Sequence, residues 1–220
     1  MLVRLFVLSL TVLISTSLQA LAGAWPREKG QVFLSLAATQ DTDRLDENPT
    51  LSVYGEYGLR HNITVAGKIT YDFALEEVTD YEISGRWHFP DNGNPLRTAL
   101  SLTLAGPTDE LRVEPGVHLG RGFETPIGPG WLDVELFASF STEGDATEYG
   151  GFGVLGVKPH DRLMTMFGVD VLVTPDDTFV KAVPQLAWEL KPGRHLNMQY
   201  SKGLSGTDES ELGLGLWLEF

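Results

Sequence analysis

The sequence contains no cysteine. That excludes a disulfide framework, a thiolate nucleophile and a lipid-modified N-terminal cysteine. Beyond the first two dozen residues there is also no run approaching the ~20 continuous apolar residues that a membrane helix needs. No window in that region carries the i, i+3, i+4, i+7 stripe of an amphipathic helix. Bases are scarce, with 16 Lys and Arg against 30 Asp and Glu and a formal net charge of −14, which argues against nucleic acid as a partner. No acidic stretch has the D-x-D-x-D-G spacing of a calcium loop, so neither a metal nor a cofactor is expected.

What is present begins with a leader. Arg4 precedes an apolar run from Leu5 to Ile14, followed by small and polar residues. The run is too short to anchor, and Ala20-Leu21-Ala22 fits the small-x-small cleavage rule. The pattern predicts a secretory signal peptide over 1–22 and a single domain over 23–220. A second cleavage option, Ala22-Gly23-Ala24, would start the chain at Trp25.

The remainder alternates with period two. Strand candidates are 31–38, 51–59, 62–73, 80–89, 97–105, 110–121, 131–141, 146–158, 161–173, 178–190, 194–203 and 210–220. This predicts twelve strands, with ten as the alternative count, and most are near the ~9–11 residues that cross a bilayer at a tilt. The connections fall into two alternating sets. One set (40–50, 74–80, 106–110, 141–147, 174–178, 205–210) is acidic, and its only base is Arg44. In the other, seven bases outnumber three acids, Asp91, Glu124 and Asp161. Successive turns of opposite sign place odd and even turns at opposite ends of one up-and-down sheet.

Each strand has one apolar face. Tyr81, Ile83, Gly85, Trp87 and Phe89 oppose Glu82, Ser84, Arg86 and His88; Leu132, Val134, Leu136, Ala138 and Phe140 oppose Asp133, Glu135, Phe137, Ser139 and Ser141. Such strands suit either a soluble barrel with a greasy core or a membrane barrel with a greasy exterior. Aromatic positions choose the second. Trp87, Phe89, Trp188 and Phe220 fall on the apolar face near the basic turns, and Tyr71, Phe73, Tyr81 and Phe140 near the acidic ones, as two interfacial girdles. Closure follows, because a sheet in lipid cannot leave an edge unpaired. The Gly-rich segment 146–158 has no readable face, and Pro115 and Pro184 predict bulges or bends within strands.

On these residues the chain resembles a Gram-negative outer-membrane β-barrel, whose last strand alternates apolar residues and ends on an aromatic. Leu212, Leu214, Leu216, Leu218 and Phe220 fit that assembly signal. The resemblance implies an all-β, up-and-down antiparallel transmembrane barrel in the cell outer membrane. Its basic turns and both termini would be periplasmic and its acidic loops extracellular. The implied partners are outer-membrane lipid, lipopolysaccharide and the barrel assembly machinery, with a monomer favoured as oligomeric state. The resemblance identifies an architecture and no single family.

The polar phase predicts a lumen lined by Glu56, Lys68, Asp72, Glu82, Arg86, His88, Arg112, Glu114, His118, Asp133, Glu135, Asp170, Lys181, Gln185 and Glu189. Eight acids and four bases stand in that set. Lys68 with Asp72, Glu82 with Arg86, and Arg112 with Glu114 are the expected pairs. The charges either brace a filled barrel or line an aqueous pore that favours cations. No catalytic residue is expected: His61, His160 and His195 read as solvated turn residues, and His88 and His118 as lumen packing with no serine motif beside them. The leading reading is a small passive, porin-like channel with weak cation preference. The alternatives are a non-conducting structural or envelope-interaction barrel and, behind it, a lipid-acting enzyme using His88 or His118.

Overall fold

The computed structural model describes residues 23–43, 49–106, 111–142 and 147–220. The expected signal peptide and the middles of three acidic connections lie outside them. The described chain is all β: β1 (Val32–Asp41), β2 (Thr50–Arg60), β3 (Ile63–Asp72), β4 (Glu77–His88), β5 (Leu96–Gly106), β6 (Arg112–Thr125), β7 (Gly128–Ser141), β8 (Thr147–His160), β9 (Leu163–Val173), β10 (Thr178–Lys191), β11 (Arg194–Ser205) and β12 (Ser210–Glu219). Each pairs antiparallel with its sequence neighbours, and β1 pairs with β12, so the sheet closes into a twelve-stranded barrel with no free edge. Val32 and Phe220 exchange backbone hydrogen bonds of 3.0 and 2.9 Å at the end of that seam.

Period two sets the faces. Every strand sends apolar side chains outward, among them Leu36, Val53, Ile69, Ile83, Leu102, Leu136, Leu155, Phe167, Leu186, Met198 and Leu214, all exposed. So continuous an apolar belt is untenable in water and suited to hydrocarbon. Trp87, Phe89, Trp188 and Phe220 rim the end that carries the short turns, where the Arg162 guanidinium lies 5.3 Å over the Trp188 ring.

Three expectations change. The connection expected between 121 and 131 is only Pro126 and Ile127, because β6 and β7 extend to Thr125 and Gly128. Neither proline forms a bulge: pairing with one neighbour lapses at Pro115 and Pro184, yet the register on either side is unchanged. A missing N–H therefore interrupts the ladder without adding a residue. The glycines of β8 and β9 receive aromatic rings. A Cβ on Gly150, Gly156 or Gly168 would run into the ring of Phe137, Trp131 or Phe152 on the adjacent strand. That phase puts Phe152 and Val154 inside the barrel and Leu155 outside.

The core of this molecule is its interior. Toward the short-turn end, all twelve strands contribute a buried inward side chain: Phe33, Glu56, Thr64, Arg86, Ala99, His118, Asp133, Val154, Met164, Gln185, Asn197 and Trp217. None is more than 9% exposed.

Candidate functional site: the barrel lumen

The ring is buried because the chain fills its own lumen. Residues 23–31 precede β1 and form a strap. It leaves the wall through a turn in which Gln31 N–H donates to the Glu28 carbonyl at 2.9 Å, and Gly30 and Gly58 tie the turn to β2 at 2.8 and 2.9 Å. A Cβ at position 58 would collide with the Glu28 carbonyl oxygen, so only glycine lets the strap pass so close to β2. From there the strap runs inward to Gly23, and the six-membered ring of Trp25 occupies the space that a Cβ on Gly120 of β6 would need.

A polar cluster holds it. Glu56 accepts from Arg27 Nε at 2.5 Å and from Arg86 Nη2 at 2.5 Å, so one buried carboxylate serves two guanidinium groups. The Tyr54 hydroxyl accepts from Arg86 and donates to Glu56. Arg27 Nη1 also stands 3.6 Å from Glu219, and its guanidinium lies 4.7 Å over the Phe33 ring. Backbone contacts add a directed chain. The Ala24 carbonyl can only accept, so His88 Nδ1 carries the proton and donates to it at 3.2 Å. His88 Nε2 is then an acceptor, facing the Thr64 hydroxyl at 3.1 Å, and that hydroxyl accepts the Arg27 N–H at 3.2 Å. Asp133 accepts the Ala24 N–H at 3.2 Å.

The opposite side of the ring is apolar. Phe33, Trp131, Val154, Met164, Met166, Ala187 and Trp217 form one cluster, with Trp25, Tyr54 and Phe152 against it. His195 belongs here too: it is 4% exposed with its ring 6.4 Å from Trp217, where a solvated turn residue was expected. Its turn is short enough to place it at the first inward position of β11.

Beyond this plug, toward the acidic connections, the inward side chains are more exposed than those of the ring. Lys68 donates to Asp80 at 3.3 Å and Glu82 at 2.8 Å, not to Asp72, because the β3–β4 register sets Glu82 directly across from it and Asp80 on the diagonal, opposite Thr70. Asp72 instead caps its own turn through the backbone N–H groups of Ala74 and Leu75. Arg86, expected to pair with Glu82, is drawn to Glu56 two strands away. Arg112 stands 4.0 Å from Glu114, which accepts from Ser139 at 2.9 Å. Lys181 pairs with Asp170 across the β9–β10 ladder and reaches Glu209 at 3.3 Å, around a cavity of about 380 Å³. Glu135 is half-exposed, 3.6 Å from His118. Gln185 is buried in the ring, and Glu189 lies at the short-turn mouth, where its carbonyl accepts from Arg162. The predicted residues thus separate into two tiers: Glu56, Arg86, His88, His118, Asp133 and Gln185 in the plug, and Lys68, Glu82, Arg112, Glu114, Glu135, Asp170 and Lys181 in a vestibule above it. Neither His88 nor His118 hydrogen-bonds a serine among the described residues.

The strap and, apart from the lumenal Trp217, the apolar cluster are what reading the sequence missed. Arg27 and Trp25 lie in nine residues too short and irregular to show a period. For the cluster a signal exists: Met164 and Met166 share the phase of Asp170, Trp131 that of Asp133, and Trp217 that of Glu219.

A closed up-and-down barrel with a greasy exterior and polar groups within is the architecture of a Gram-negative outer-membrane protein. No protein-family model and no curated protein matches the chain. Solved structures do. The KdgM porin aligns at TM-score 0.68 and 6% identity, over 86% of this chain and 99% of its own. The NanC porin aligns at 0.66 and 9%, over 84% and 98%. An outer membrane channel from Pseudomonas putida F1 aligns at 0.62 and 13%, over 90% and 98%. At such identities the likeness is one of fold.

Proposed function

We propose that the protein is a porin-like passive channel of the outer membrane for small solutes, with a weak preference for cations. The observation that carries this reading is the vestibule. Above the plug, Asp80, Glu82, Glu114, Glu135, Asp170 and Glu209 face Lys68, Arg112 and Lys181, so acids outnumber bases where a solute would enter. Fixed carboxylates at a mouth raise the local concentration of cations and repel anions. The fold shared with three channels supports the same reading. One KdgM structure is described with a disordered oligogalacturonate, a polyanion; the acid excess here disfavours such a cargo. The acidic connections face outward from the cell and the short turns the periplasm, with lipid and lipopolysaccharide around a monomeric barrel.

Planar-bilayer recording tests the proposal. The wild-type protein should give single-channel steps with a cation-to-anion permeability ratio above one. Replacing Glu82, Glu114, Glu135 and Asp170 together by their amides should move the reversal potential toward zero. An unchanged reversal potential would remove the vestibule from selectivity.

The complete buried ring favours a second reading, a non-conducting structural barrel. Deleting 23–27 separates the two, since the strap fills a large share of the lumen. Conductance that appears or grows on deletion supports a channel narrowed by its own strap. Silence in both proteins supports the structural barrel.

A further inference from the structure

The strap begins beside side chains that the barrel leaves unserved. His118 on β6 is 2% exposed, and neither of its ring nitrogens has a hydrogen-bond partner. It faces the first described residue directly: a Cβ on Gly23 would lie 2.5 Å from His118 Nδ1 and 3.0 Å from Cε1, so no side chain fits there. Asp133 already reaches the next residue, accepting the Ala24 N–H at 3.2 Å. Glu135 stands 3.6 Å from the other edge of the imidazole. A guanidinium also borders the corner: Arg86 Nη1 would lie 3.4 Å from the same Cβ position, while its Nη2 donates to the Glu56 carboxylate that it shares with Arg27. The corner therefore sets an imidazole nitrogen against Gly23 and the Asp133 carboxylate on the next residue, with the Glu135 carboxylate behind the ring. An amide carries one N–H and no charge, whereas an α-ammonium carries three N–H donors and a positive charge.

We infer that this corner of the lumen is a binding site for the chain's own α-ammonium at Gly23, created when the leader is cut after Ala22. The ligand is a primary ammonium, and the site is Asp133, Glu135 and His118. Cleavage is the hydrolysis of the Ala22–Gly23 peptide bond: water adds, Ala22 leaves as a carboxylate and Gly23 as an amine that is protonated in water. The cut after Ala24 would remove both the carbonyl that takes the His88 proton and the N–H that Asp133 accepts. That leaves buried polar groups without partners, which is unfavourable. In the uncut chain the same corner meets an amide, so seating of the strap is coupled to maturation. The inference rests on the predicted cleavage and is independent of whether the barrel conducts.

The full chain, expressed with its leader and recovered from outer membranes, provides the test. Its intact mass should correspond to a start at Gly23; a start at Trp25 would overturn the inference. The Gly23 α-amine should react with a water-soluble acetylating ester at least tenfold more slowly in the folded barrel than in the heat-unfolded chain, and equal rates would overturn it. Asp133→Asn should restore a large part of that reactivity, with Glu135→Gln as the substitute if the first variant assembles poorly. Finally, two residues inserted before Gly23, with the new start verified by mass, should abolish the effect of Asp133→Asn on the unfolding midpoint. Additive losses in the inserted and substituted chains would show that Asp133 acts without the ammonium.

Discussion

A single carboxylate organises the plug. Glu56 is buried between Arg27 and Arg86, and neutralising it leaves two guanidinium groups in an interior that cannot solvate them. Breaking a buried pair from one side costs about 3–5 kcal/mol. Glu56→Gln should therefore lower stability by that order in urea unfolding of the refolded barrel, read by the shift of the folded band on unheated gels. Tyr54→Phe removes one donor and one acceptor from the same cluster and should cost about 1 kcal/mol in that assay. A loss for Glu56→Gln no larger than for Tyr54→Phe would show that the strap releases Arg27 to solvent when its partner is lost. Gly58 is the complementary case, where the constraint is space: Gly58→Ala pushes a methyl group into the Glu28 carbonyl and should unseat the strap with the barrel intact.

At the scale of the strand, the inner aromatics depend on glycine next door. Gly156→Val would drive a branched side chain into the Trp131 ring, and overpacking of that kind costs about 1–3 kcal/mol. The same change at the outward Gly153 should cost far less in the same unfolding assay, since a Cβ there meets only the tip of Val134. At β12, deletion of Phe220 should reduce the amount of barrel recovered from outer membranes severalfold while the refolded protein in detergent keeps its β-sheet spectrum. Equal loss in both would make Phe220 a packing residue instead of an assembly signal. These elements also show what the sequence could and could not disclose. Strand count and face were legible because a period of two is local: Ile83 and Trp87 declare lipid beside Arg86 and His88. Pairing was less legible, since Arg86 finds Glu56 only through two registers fixed elsewhere in the sheet. Trp217 reads as lumenal beside Gly213 and Gly215, but the rest of the filling was hidden because Phe33, Met164 and Met166 are apolar residues in a polar phase. Hydropathy assigns them to lipid, and only the charged residues on their own strands give the phase away.

The whole molecule inverts the ordinary globular arrangement without giving up a core. Its outer surface is apolar and its inner wall largely polar, yet a ring of twelve inward side chains, one from each strand, is as tightly buried as the centre of a soluble domain. The two surfaces should answer differently to charge. Ile83→Arg, on the outward belt, should destabilise the refolded barrel by about 2–4 kcal/mol if Ile83 lies near the bilayer midplane. Ser84→Arg, one residue on and facing the lumen, should leave membrane insertion unchanged. Similar penalties would mean that the belt is not the lipid-facing surface.

The seam between β1 and β12 joins the first and last strands of the barrel, and it lies at the root of the strap. Phe220 meets Val32 one residue after the turn that sends residues 23–31 inward, and Glu219 reaches Arg27 from the same strand. Glu219 and Phe220 therefore latch the strand whose leading end carries the stopper. Closing the barrel and corking it share one place: the strand that seals the wall against β1 also supplies the carboxylate that faces the strap's Arg27.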